Sequence, residues 1–449
     1  MSATSPLREA AYFAYFRATG RRLGSVYRRF RAEDEARTAS DSVPARLAAI
    51  LAHAGSNVPF YRAALEGLDE QVGNDPFAAL TELPLLTKET IRERFEALCS
   101  ADLPSRSTYE QTSGGSTGEP VRLIQDMGFR DHDNAVQLLM SSWTGWRPGD
   151  PEIVITGSER DILESSIGFR ANVANRLMRR RFFNAFRMAS ETMRECLERI
   201  DAQRPKVIRG YAQSLDDLAH FAERESIEIS PQNAIISTAG TLYPFMRERI
   251  ETRFGCRVFD QYGSREVSGI AGECGHGAGL HVFPWMNYVE IVDEEGNPLP
   301  AGSEGRVIVT SLCNFAMPMI RYEIGDRATL VPDDAPDCPC GRRGQRIAEV
   351  AGRTVDTFEA LDGTLVNGEY FTHLLYFRDS VKRFQVVQRG PALVVYRIVA
   401  SAPLAEAERS AIERDTRAAM GAGCEVEFEL VDDILPSGSG KHRYTIREC

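Results

Sequence analysis

Short β-rich runs alternate with helical segments between Pro151 and Leu312, and this alternation constrains the fold more than any other feature of the sequence. The runs read PEIVIT, KVIRGY, AIIST, CRVFDQY, VEIVD and GRVIVTSL, with helical segments such as Glu191–Asp201 and Pro244–Phe254 between them. Such alternation is typical of a layered α/β body. Only a turn-rich connector joins VEIVD to GRVIVTSL, which predicts an antiparallel subdomain beside the main sheet.

The chain on either side of this body has different patterns. Before it, apolar residues at three- and four-residue spacings predict helices such as Val43–Ala54 and Lys88–Leu98, the second with Thr87 as its N-cap. After Gly352, a hairpin (RFQVVQ and ALVVYRIV), a helix over Leu404–Met420 and the strand CEVEFELV predict a compact α+β unit. The fold class that we predict is therefore α/β, with a large layered domain over residues 1–352, which begins with a helical extension at 1–42, and a small α+β domain over 353–449.

Composition and charge narrow the class of protein. The 449 residues are 43% hydrophobic, enough for a large core, and no apolar run approaches the roughly 18–20 residues that span a bilayer. The net charge of −11 argues against a protein that coats nucleic acid. The start of the chain lacks the order of a signal peptide, and nine scattered cysteines are unlike a secreted disulfide framework. We therefore expect a cytoplasmic protein with neither nucleic acid nor a membrane as its partner.

The stretch Thr112–Pro120 (TSGGSTGEP) says most about function. Its three glycines let the backbone turn tightly and bring amide N–H groups close to a ligand, and its four hydroxyl side chains add donors. It is not the Walker pattern, because no Gly-Lys-Ser/Thr closes it. Such a loop is suited to a polyphosphate, and a flexible connector is the alternative.

This loop resembles the signature of adenylate-forming acyl ligases, and four further motifs follow in that family's order. Asp260–Glu266 (DQYGSRE) resembles the Tyr-Gly-x-x-Glu motif, and Ile320–Asp326 (IRYEIGD) resembles the segment that ends in the ribose-binding Asp. Gly352-Arg353 resembles the Gly-Arg near the hinge between domains, and Pro436–Lys441 (PSGSGK) resembles the terminal segment that bears the catalytic lysine.

Within the superfamily the resemblance is to the phenylacetate–CoA ligase branch and its capsule-biosynthesis relatives. The supporting segments are VPFYR at 58–62, LPLLTKETIRERF at 83–95, CPCGR at 338–342 and the short C-terminal domain. The resemblance runs from about Val43 to the C-terminus.

The resemblance implies an enzyme that uses ATP and Mg²⁺ to activate a carboxylic acid, here an aromatic one, as an acyl-adenylate. Pyrophosphate would leave, and the acyl group would pass to coenzyme A. One alternative is an amine or hydroxyl acceptor, as in capsule or natural-product pathways; another, from a different class, is a non-catalytic nucleotide-binding protein on the same fold. The partners would be the small acid and CoA, with a homodimer as the candidate assembly.

The resemblance also implies roles for individual residues. Glu266 would bind Mg²⁺, Tyr262 would stack near adenine, and Asp326 would accept hydrogen bonds from both ribose hydroxyls. Gly210 and Tyr211 would line the acyl pocket, although a core tyrosine is the alternative. The other nucleotide-binding candidates are Ser113, Gly114, Gly115, Ser116, Thr117 and Gly118 of the loop, Gly240 and Thr241 after a β-run (where a plain strand-to-helix turn is the alternative), Gly263 and Arg353.

Lys441 is the implied catalytic lysine, which would bridge the substrate carboxylate and the α-phosphate; a solvated tail residue is the alternative. The sequence departs from the family in two places. Arg265 stands where most relatives carry a small hydroxyl residue, so a permanent cation would lie near the α-phosphate. Val355 stands where the branch usually has an acidic residue, which leaves the hinge position open.

Cysteine and histidine residues near the antiparallel segment are candidate zinc ligands. Thiolate and imidazole are natural ligands of tetrahedral zinc, and four protein ligands make a closed, structural site. The spacing of Cys338 and Cys340 is tighter than usual, so spacing alone leaves ordinary thiols as the alternative. A matching set in some members of the branch favours zinc on Cys274, His281, Cys338 and Cys340, with His281 preferred to His276 by its resemblance to the family's position.

A basic and aromatic cluster spans Arg176–Arg187. We expect a solvated helix face. The alternative is a landing site for the phosphates of CoA formed by Arg179, Arg180 and Arg181.

Overall fold

The computed structural model divides into two compact units, the second of which takes up the chain's last hundred residues. The domain boundary predicted between residues 352 and 353 stays a prediction, although the chain enters the second unit for the last time there. The first unit holds residues 1–114, 121–148 and 259–351, and the second holds 115–120, 149–258 and 352–449. The structure describes residues 5–112, 121–156, 169–185, 187–188, 190–240, 242–351, 357–375, 380–400, 404–434 and 444–448.

Helices and strands are numbered here in chain order. The α-helices are α1 (Ser5–Ala18), α2 (Leu23–Ala36), α3 (Val43–Asn57), α4 (Pro59–Leu65), α5 (Asp69–Asn74), α6 (Pro76–Thr81), α7 (Lys88–Glu93), α8 (Phe95–Leu98), α9 (Met127–Trp143), α10 (Phe169–Leu177), α11 (Ser190–Gln203), α12 (Ala212–Arg224), α13 (Pro244–Phe254), α14 (Glu369–His373) and α15 (Glu406–Met420). The strands are β1 (Thr108–Thr112), β2 (Arg122–Asp126), β3 (Glu152–Thr156), β4 (Arg180–Asn184), β5 (Arg187–Met188), β6 (Val207–Tyr211), β7 (Ile235–Thr238), β8 (Val258–Ser264), β9 (Ser268–Glu273), β10 (Leu280–Val282), β11 (Asn287–Val292), β12 (Glu304–Ser311), β13 (Tyr322–Leu330), β14 (Arg346–Ala351), β15 (Thr357–Glu359), β16 (Leu365–Asn367), β17 (Val381–Gly390), β18 (Leu393–Ala400), β19 (Glu425–Leu430) and β20 (Thr445–Arg447).

The first unit begins with short helices whose apolar faces build its core. In α3, Leu47, Ile50, Leu51 and Ala54 are buried at the three- and four-residue spacing of one helix face. They join a core cluster that includes strand residues such as Val309. The helices predicted before residue 100 are thereby confirmed, with one correction.

The predicted helix over Lys88–Leu98 is two helices. Thr87 caps the first as predicted, because its side-chain oxygen accepts the Thr90 N–H at 3.1 Å. The backbone leaves the helical region at Arg94 (φ −120°, ψ 23°), and a second short helix follows. The spacing pattern runs through both helices, so it gave no sign of the break.

An antiparallel sheet forms the other half of the first unit. Its strands lie in the order β11-β12-β13-β14-β10-β9-β8, and every neighbouring pair is antiparallel. The predicted pairing of VEIVD with GRVIVTSL is confirmed, with Val289 opposite Val309.

The second unit contains the parallel strands of the α/β body. These lie in the order β4-β3-β6-β7, with helices α11, α12 and α13 packed on them. Strands β3 and β7 are largely apolar and buried, as expected for strands covered on both faces, whereas β4 begins with two arginines. Gly255 ends α13 with φ +60°, a conformation that glycine adopts without strain.

The C-terminal part of the second unit has the small α+β architecture that the sequence predicts. Strands β17 and β18 form the hairpin, α15 follows, and β19 lies parallel to β18. The strand β20 extends this sheet beside β17, and β15 and β16 form a separate sheet with β5. The short strands β5, β16 and β20 carry too few residues to be found from alternation.

The basic cluster corrects another prediction, because it is not one helix face. Helix α10 ends at Leu177 and the chain passes into β4, which contains Arg180 and Arg181. The Arg180 guanidinium pairs at 2.7 Å with Glu152, whose side chain is 1% exposed. At least one arginine of the cluster therefore neutralises a buried carboxylate.

No helix within the described part of the chain combines the length and the apolar character that crossing a lipid bilayer requires.

Candidate functional site

Two segments of the first unit are joined by a pair of hydrogen bonds, in each of which the tyrosine of one segment donates to the carboxylate of the other. The Tyr262 hydroxyl, on β8, donates to Asp326 Oδ2 at 2.9 Å. The Tyr322 hydroxyl, on β13, donates to Glu266 Oε1 at 3.2 Å. These four residues, the tyrosine–carboxylate patch, bring together three of the residues that the sequence singles out, although about sixty positions separate the two segments.

Local backbone geometry places both carboxylates. The register between β12 and β13 shifts opposite Arg306–Ile308, next to Gly325 (φ +89°), and Asp326 follows directly. Such bulges re-aim a side chain, here towards Tyr262. At Gly263 a Cβ atom would lie 2.6 Å from the Ser268 carbonyl oxygen, so only glycine lets β8 turn so closely into β9.

Glu266 is held from three sides. Its side chain is buried, and Gln125 Nε2 donates to the backbone carbonyls of Arg265 and Glu266 at 3.1 and 3.2 Å. The Lys88 ammonium lies 3.9 Å from Glu266 Oε1 and is 13% exposed. The Leu86 N–H donates to the Arg321 carbonyl and the Glu323 N–H donates to the Leu86 carbonyl, both at 2.9 Å, which holds this part of the chain in place. The buried Glu266 carboxylate is thus paired with a cation that is itself largely buried, as a buried charge requires.

Sequence reasoning missed Lys88, although two signals point to it. A lysine in the first turn of a helix is electrostatically unfavourable, which indicates that its side chain has a specific partner. Lysine is also rare in this chain, which carries it only at positions 88, 206, 382 and 441 and otherwise uses arginine.

The predicted acyl-pocket residues lie in the second unit, at the carboxyl ends of its parallel strands. Gly210 and Tyr211 end β6, and Gly240, a predicted nucleotide-binding residue, follows β7; a Cβ atom at Gly240 would lie 3.7 Å from the Ala212 Cβ. Thr156, which ends β3, donates to the Tyr211 hydroxyl at 3.4 Å. Open α/β sheets bind their ligands at this edge.

Several predicted residues lie outside the described part of the chain, so their roles stay predictions. These are Ser113, Gly114, Gly115, Ser116, Thr117, Gly118, Thr241, Arg353 and Lys441.

Four potential metal ligands meet elsewhere in the first unit. Cys274 follows β9, His281 lies on β10, and Cys338 and Cys340 lie in the connection from β13 to β14. Their ligand atoms all lie within 4.8 Å of one another. His281 belongs to this Cys3His cluster, whereas His276 is exposed.

The geometry and protonation of the Cys3His cluster fit a tetrahedral metal ion. Cys274 Sγ lies 3.4 Å from Cys338 Sγ, and Cys340 Sγ lies 3.4 Å from His281 Nε2. Zinc bonds of about 2.3 Å to sulfur and about 2.0 Å to nitrogen set tetrahedral ligands roughly 3.5–3.8 Å apart. Burial, and then the charge of Arg342, lowers the pKa of His281 to about 4, so its imidazole is neutral at pH 7 as a ligand must be. Burial raises the pKa of Cys274 to about 12, an unfavourable situation for a thiolate that a bound cation relieves.

Comparisons with known proteins agree with this architecture. Residues 358–448 match a family model described as the CapK C-terminal domain. Protein CapK of Staphylococcus aureus is 23% identical over 381 residues, which cover 82% of this chain and 80% of CapK. A phenylacetate-coenzyme A ligase of Thermus thermophilus is 26% identical over 360 residues, which cover 77% of each chain.

The fold is also that of a solved enzyme. A crystal structure of 2-hydroxyisobutyryl-CoA ligase, in complex with 2-HIB-AMP and CoA in the thioesterification state, matches with a TM-score of 0.57 over 91% of this chain and 90% of that one, at 19% identity. These sequence relatives and this fold support the adenylate-forming acyl ligase family for this chain. It is an AMP-forming ligase by class, and the predicted family and fold class are confirmed.

Proposed function

We propose that this AMP-forming ligase activates an aromatic carboxylic acid as an acyl-adenylate and then transfers the acyl group to coenzyme A. The tyrosine–carboxylate patch carries the proposal, because it gathers the residues that resemble the ribose-binding and magnesium-binding positions of the superfamily. The relatives named phenylacetate-coenzyme A ligase support both the aromatic acid and the acceptor.

Each carboxylate of the patch has a distinct task in this proposal. An ionised carboxylate only accepts hydrogen bonds, so Asp326 suits the two hydroxyl donors of a ribose. Glu266 offers oxygen to Mg²⁺, which prefers carboxylate and phosphate oxygens. When bound, the magnesium ion neutralises charge on the phosphates. The loop at 112–118 supplies amide donors to the β- and γ-phosphates, Tyr262 stacks near adenine, and Arg353 contacts ribose or phosphate.

The chemistry is a pair of substitutions. A carboxylate oxygen of the acid bonds to the α-phosphorus while the bond to the bridging oxygen breaks, and pyrophosphate leaves. The CoA thiolate sulfur then bonds to the acyl carbon, and AMP leaves with the electron pair of the broken bond. We assign Lys441, on a mobile domain over 353–449, to hold the carboxylate and the α-phosphate together in the first step.

A second acceptor class remains a candidate. The C-terminal domain is similar to that of CapK, a name that specifies no acceptor. Transfer to an amine or a hydroxyl would follow the same first step, so the fate of the adenylate distinguishes the two candidates.

We also propose that the Cys3His cluster binds Zn²⁺ as a closed structural site. Four protein ligands leave no position for substrate. The ion would tie the connection between β13 and β14 to β9 and β10.

Pyrophosphate exchange into ATP across a panel of carboxylic acids tests the first step. We expect exchange with aromatic acids, and mass analysis of products with and without CoA then identifies the acceptor. A purified protein that exchanges pyrophosphate with no acid at all is the outcome of the non-catalytic alternative and contradicts the proposal.

Replacing the catalytic lysine isolates the adenylation step. A lysine about 4 Å from the reacting charges, at an effective dielectric constant near 20, contributes up to about 4 kcal/mol. Lys441→Ala should therefore slow pyrophosphate exchange by roughly two to three decades with ATP binding nearly intact. Lys206→Ala, in which an exposed lysine that contacts Asn233 is removed, is the matched control and should exchange at the wild-type rate. Equal rates in the two variants would remove Lys441 from the mechanism.

A further inference from the structure

The N-terminal extension (residues 1–42) contacts the loop that carries Cys338 and Cys340. Arg342 follows Cys340 by two residues, and its guanidinium makes two hydrogen bonds to Asp34 on α2, at 2.7 and 2.8 Å. The Asp34 carboxylate is buried. A two-pronged contact of this kind between guanidinium and carboxylate fixes orientation as well as position.

A tryptophan completes this contact and links it to the cluster. The Trp143 indole N–H donates to Asp34 Oδ2 at 3.2 Å, and the Arg342 guanidinium lies 4.0 Å from the centre of the indole ring. The same ring meets the His281 imidazole edge-on at 6.2 Å. We name Asp34, Trp143 and Arg342 the Asp34 latch.

The backbone of the cysteine loop depends on the latch as well. The Arg342 N–H donates to Cys340 Sγ at 3.4 Å, a hydrogen bond that supports a metal-bound thiolate. A Cβ atom at Gly341 (φ +75°) would lie 3.4 Å from Arg37, and one at Gly344 (φ +100°) would lie 3.1 Å from Ser40. The loop therefore lies directly against the end of α2 and the residues that follow it.

We propose that the metal ion of the Cys3His cluster holds Arg342 in place and thereby fastens the end of α2 to the rest of the first unit. The inference rests on the proposed metal site. Because linkage is reciprocal, the metal ion stabilises the docked extension by the same free energy with which the docked extension retains the metal ion. Asp34, Trp143 and the Arg342 side chain are positioning residues, since they act through the ligands.

Other contacts of the extension limit how far it is released. Arg21 pairs with Asp131 at 2.6 Å, and the Trp285 indole N–H donates to Glu33 at 2.7 Å. Phe30 stacks on Trp285, with 5.1 Å between ring centres. None of these contacts involves the cysteine loop. Loss of the metal ion therefore loosens the segment around residues 34–42 and leaves the extension attached.

The first experiment measures how fast the metal ion leaves. Asp34→Asn removes the charge that Arg342 binds, and Arg342→Lys keeps the charge but loses the two-pronged geometry, so either folded variant tests the inference. Glu35→Gln is the matched control, because Glu35 neighbours Asp34 on α2 and pairs on the surface with Arg31. After metal analysis of each purified protein, we expect transfer of the metal to an excess of chromogenic chelator about tenfold faster in the first two variants than in wild type or the control.

The second experiment reads the coupling in the opposite direction. Removing the metal ion from the wild type should raise amide hydrogen exchange over residues 34–42 and leave α3 protected, while Asp34→Asn should show the raised exchange with the metal ion still bound. Unchanged release and unchanged exchange in variants that contain metal would overturn the inference. Absence of metal from every purified protein would overturn the metal site as well. Neither measurement uses a carboxylic acid or ATP, so their outcome is independent of whether the protein forms an adenylate.

Discussion

The tyrosine–carboxylate patch and the Cys3His cluster both lie in the first unit and both join distant segments, yet they are built in opposite ways. In the patch, each carboxylate accepts a hydrogen bond from a tyrosine hydroxyl; Asp326 and Tyr262 are only half-buried, whereas Glu266 and Tyr322 are buried. In the cluster, three of four side chains are buried and their donor atoms face one another. The half-buried pair of the patch is open to a ligand, whereas the donor atoms of the cluster lie within 4.8 Å of one another.

This difference suits the patch to a substrate that is bound and released, and the cluster to a metal ion that stays bound. A hydrogen bond from a hydroxyl to an ionised carboxylate contributes roughly 1.5–3 kcal/mol, and the carboxylate keeps lone pairs that can accept further hydrogen bonds from a substrate in each turnover. A metal ion held by four protein ligands, as we propose for the cluster, would be bound tightly enough to become part of the fold. Substitutions in the patch should therefore change activity, and substitutions in the cluster should change stability.

The largest effect on activity is expected at Glu266. Glu266→Gln removes the charge proposed to hold Mg²⁺, and a full charge about 4 Å away at an effective dielectric constant near 20 is worth up to about 4 kcal/mol. Pyrophosphate exchange at saturating ATP should fall by up to about three decades, and the Mg²⁺ concentration for half-maximal rate should rise.

Because Lys88 also loses its carboxylate, the stability of this variant must be measured beside its activity. Asp216→Asn is the matched control, since Asp216 is equally buried and pairs at 2.8 Å with Arg249 in the second unit. The control should lose stability while its folded fraction exchanges pyrophosphate normally. A comparable loss of exchange in both variants would show that unfolding, and not metal binding, explains the result.

The largest effect on stability is expected in the cluster. Cys338→Ser removes a thiolate from the four proposed ligands, and loss of a structural metal ion is among the few changes that can cost about 4 kcal/mol or more. For a unit of this size that corresponds to a fall in Tm of roughly 8–16 °C. Metal content and thermal unfolding are the measurements, with Cys256→Ser, a half-buried thiol outside the cluster, as the control. Wild-type Tm in a variant without metal would make the ion irrelevant to the fold.

Much of the fold could be predicted from the sequence, because the spacing of apolar residues shows which face of each helix or strand is buried. The six β-rich runs all form strands, and Pro244–Phe254 is a helix with the predicted bounds. Alternation says nothing about which strands become neighbours, so the place of β14 between β13 and β10 could not be derived. The basic cluster was misread because the helical spacing of its arginines continues past the end of α10 into β4.

The residues of the candidate site also fall into a group that the sequence could identify and a group that it could not. Tyr262, Glu266 and Asp326 stand in short motifs whose residue types already imply a task, and the resemblance found them. Lys88 and Asp34 stand in helices, where a lysine or an aspartate is normally a surface residue. Only the fold shows that Lys88 reaches Glu266 and that Asp34 reaches Arg342, 308 positions away.

The smallest effect, and the sharpest test of an open patch, is expected at Tyr262. Tyr262→Phe keeps the ring that we place near adenine and removes only the hydroxyl that donates to Asp326. A hydrogen bond to an ionised carboxylate is worth roughly 1.5–3 kcal/mol, so the KM for ATP should rise about ten- to a hundredfold while kcat stays unchanged. A fall in KM would instead mean that the hydroxyl competes with the ribose for Asp326. A lower Tm without a change in KM would show that the hydroxyl contributes to stability and not to ATP binding, as we expect of the cluster residues.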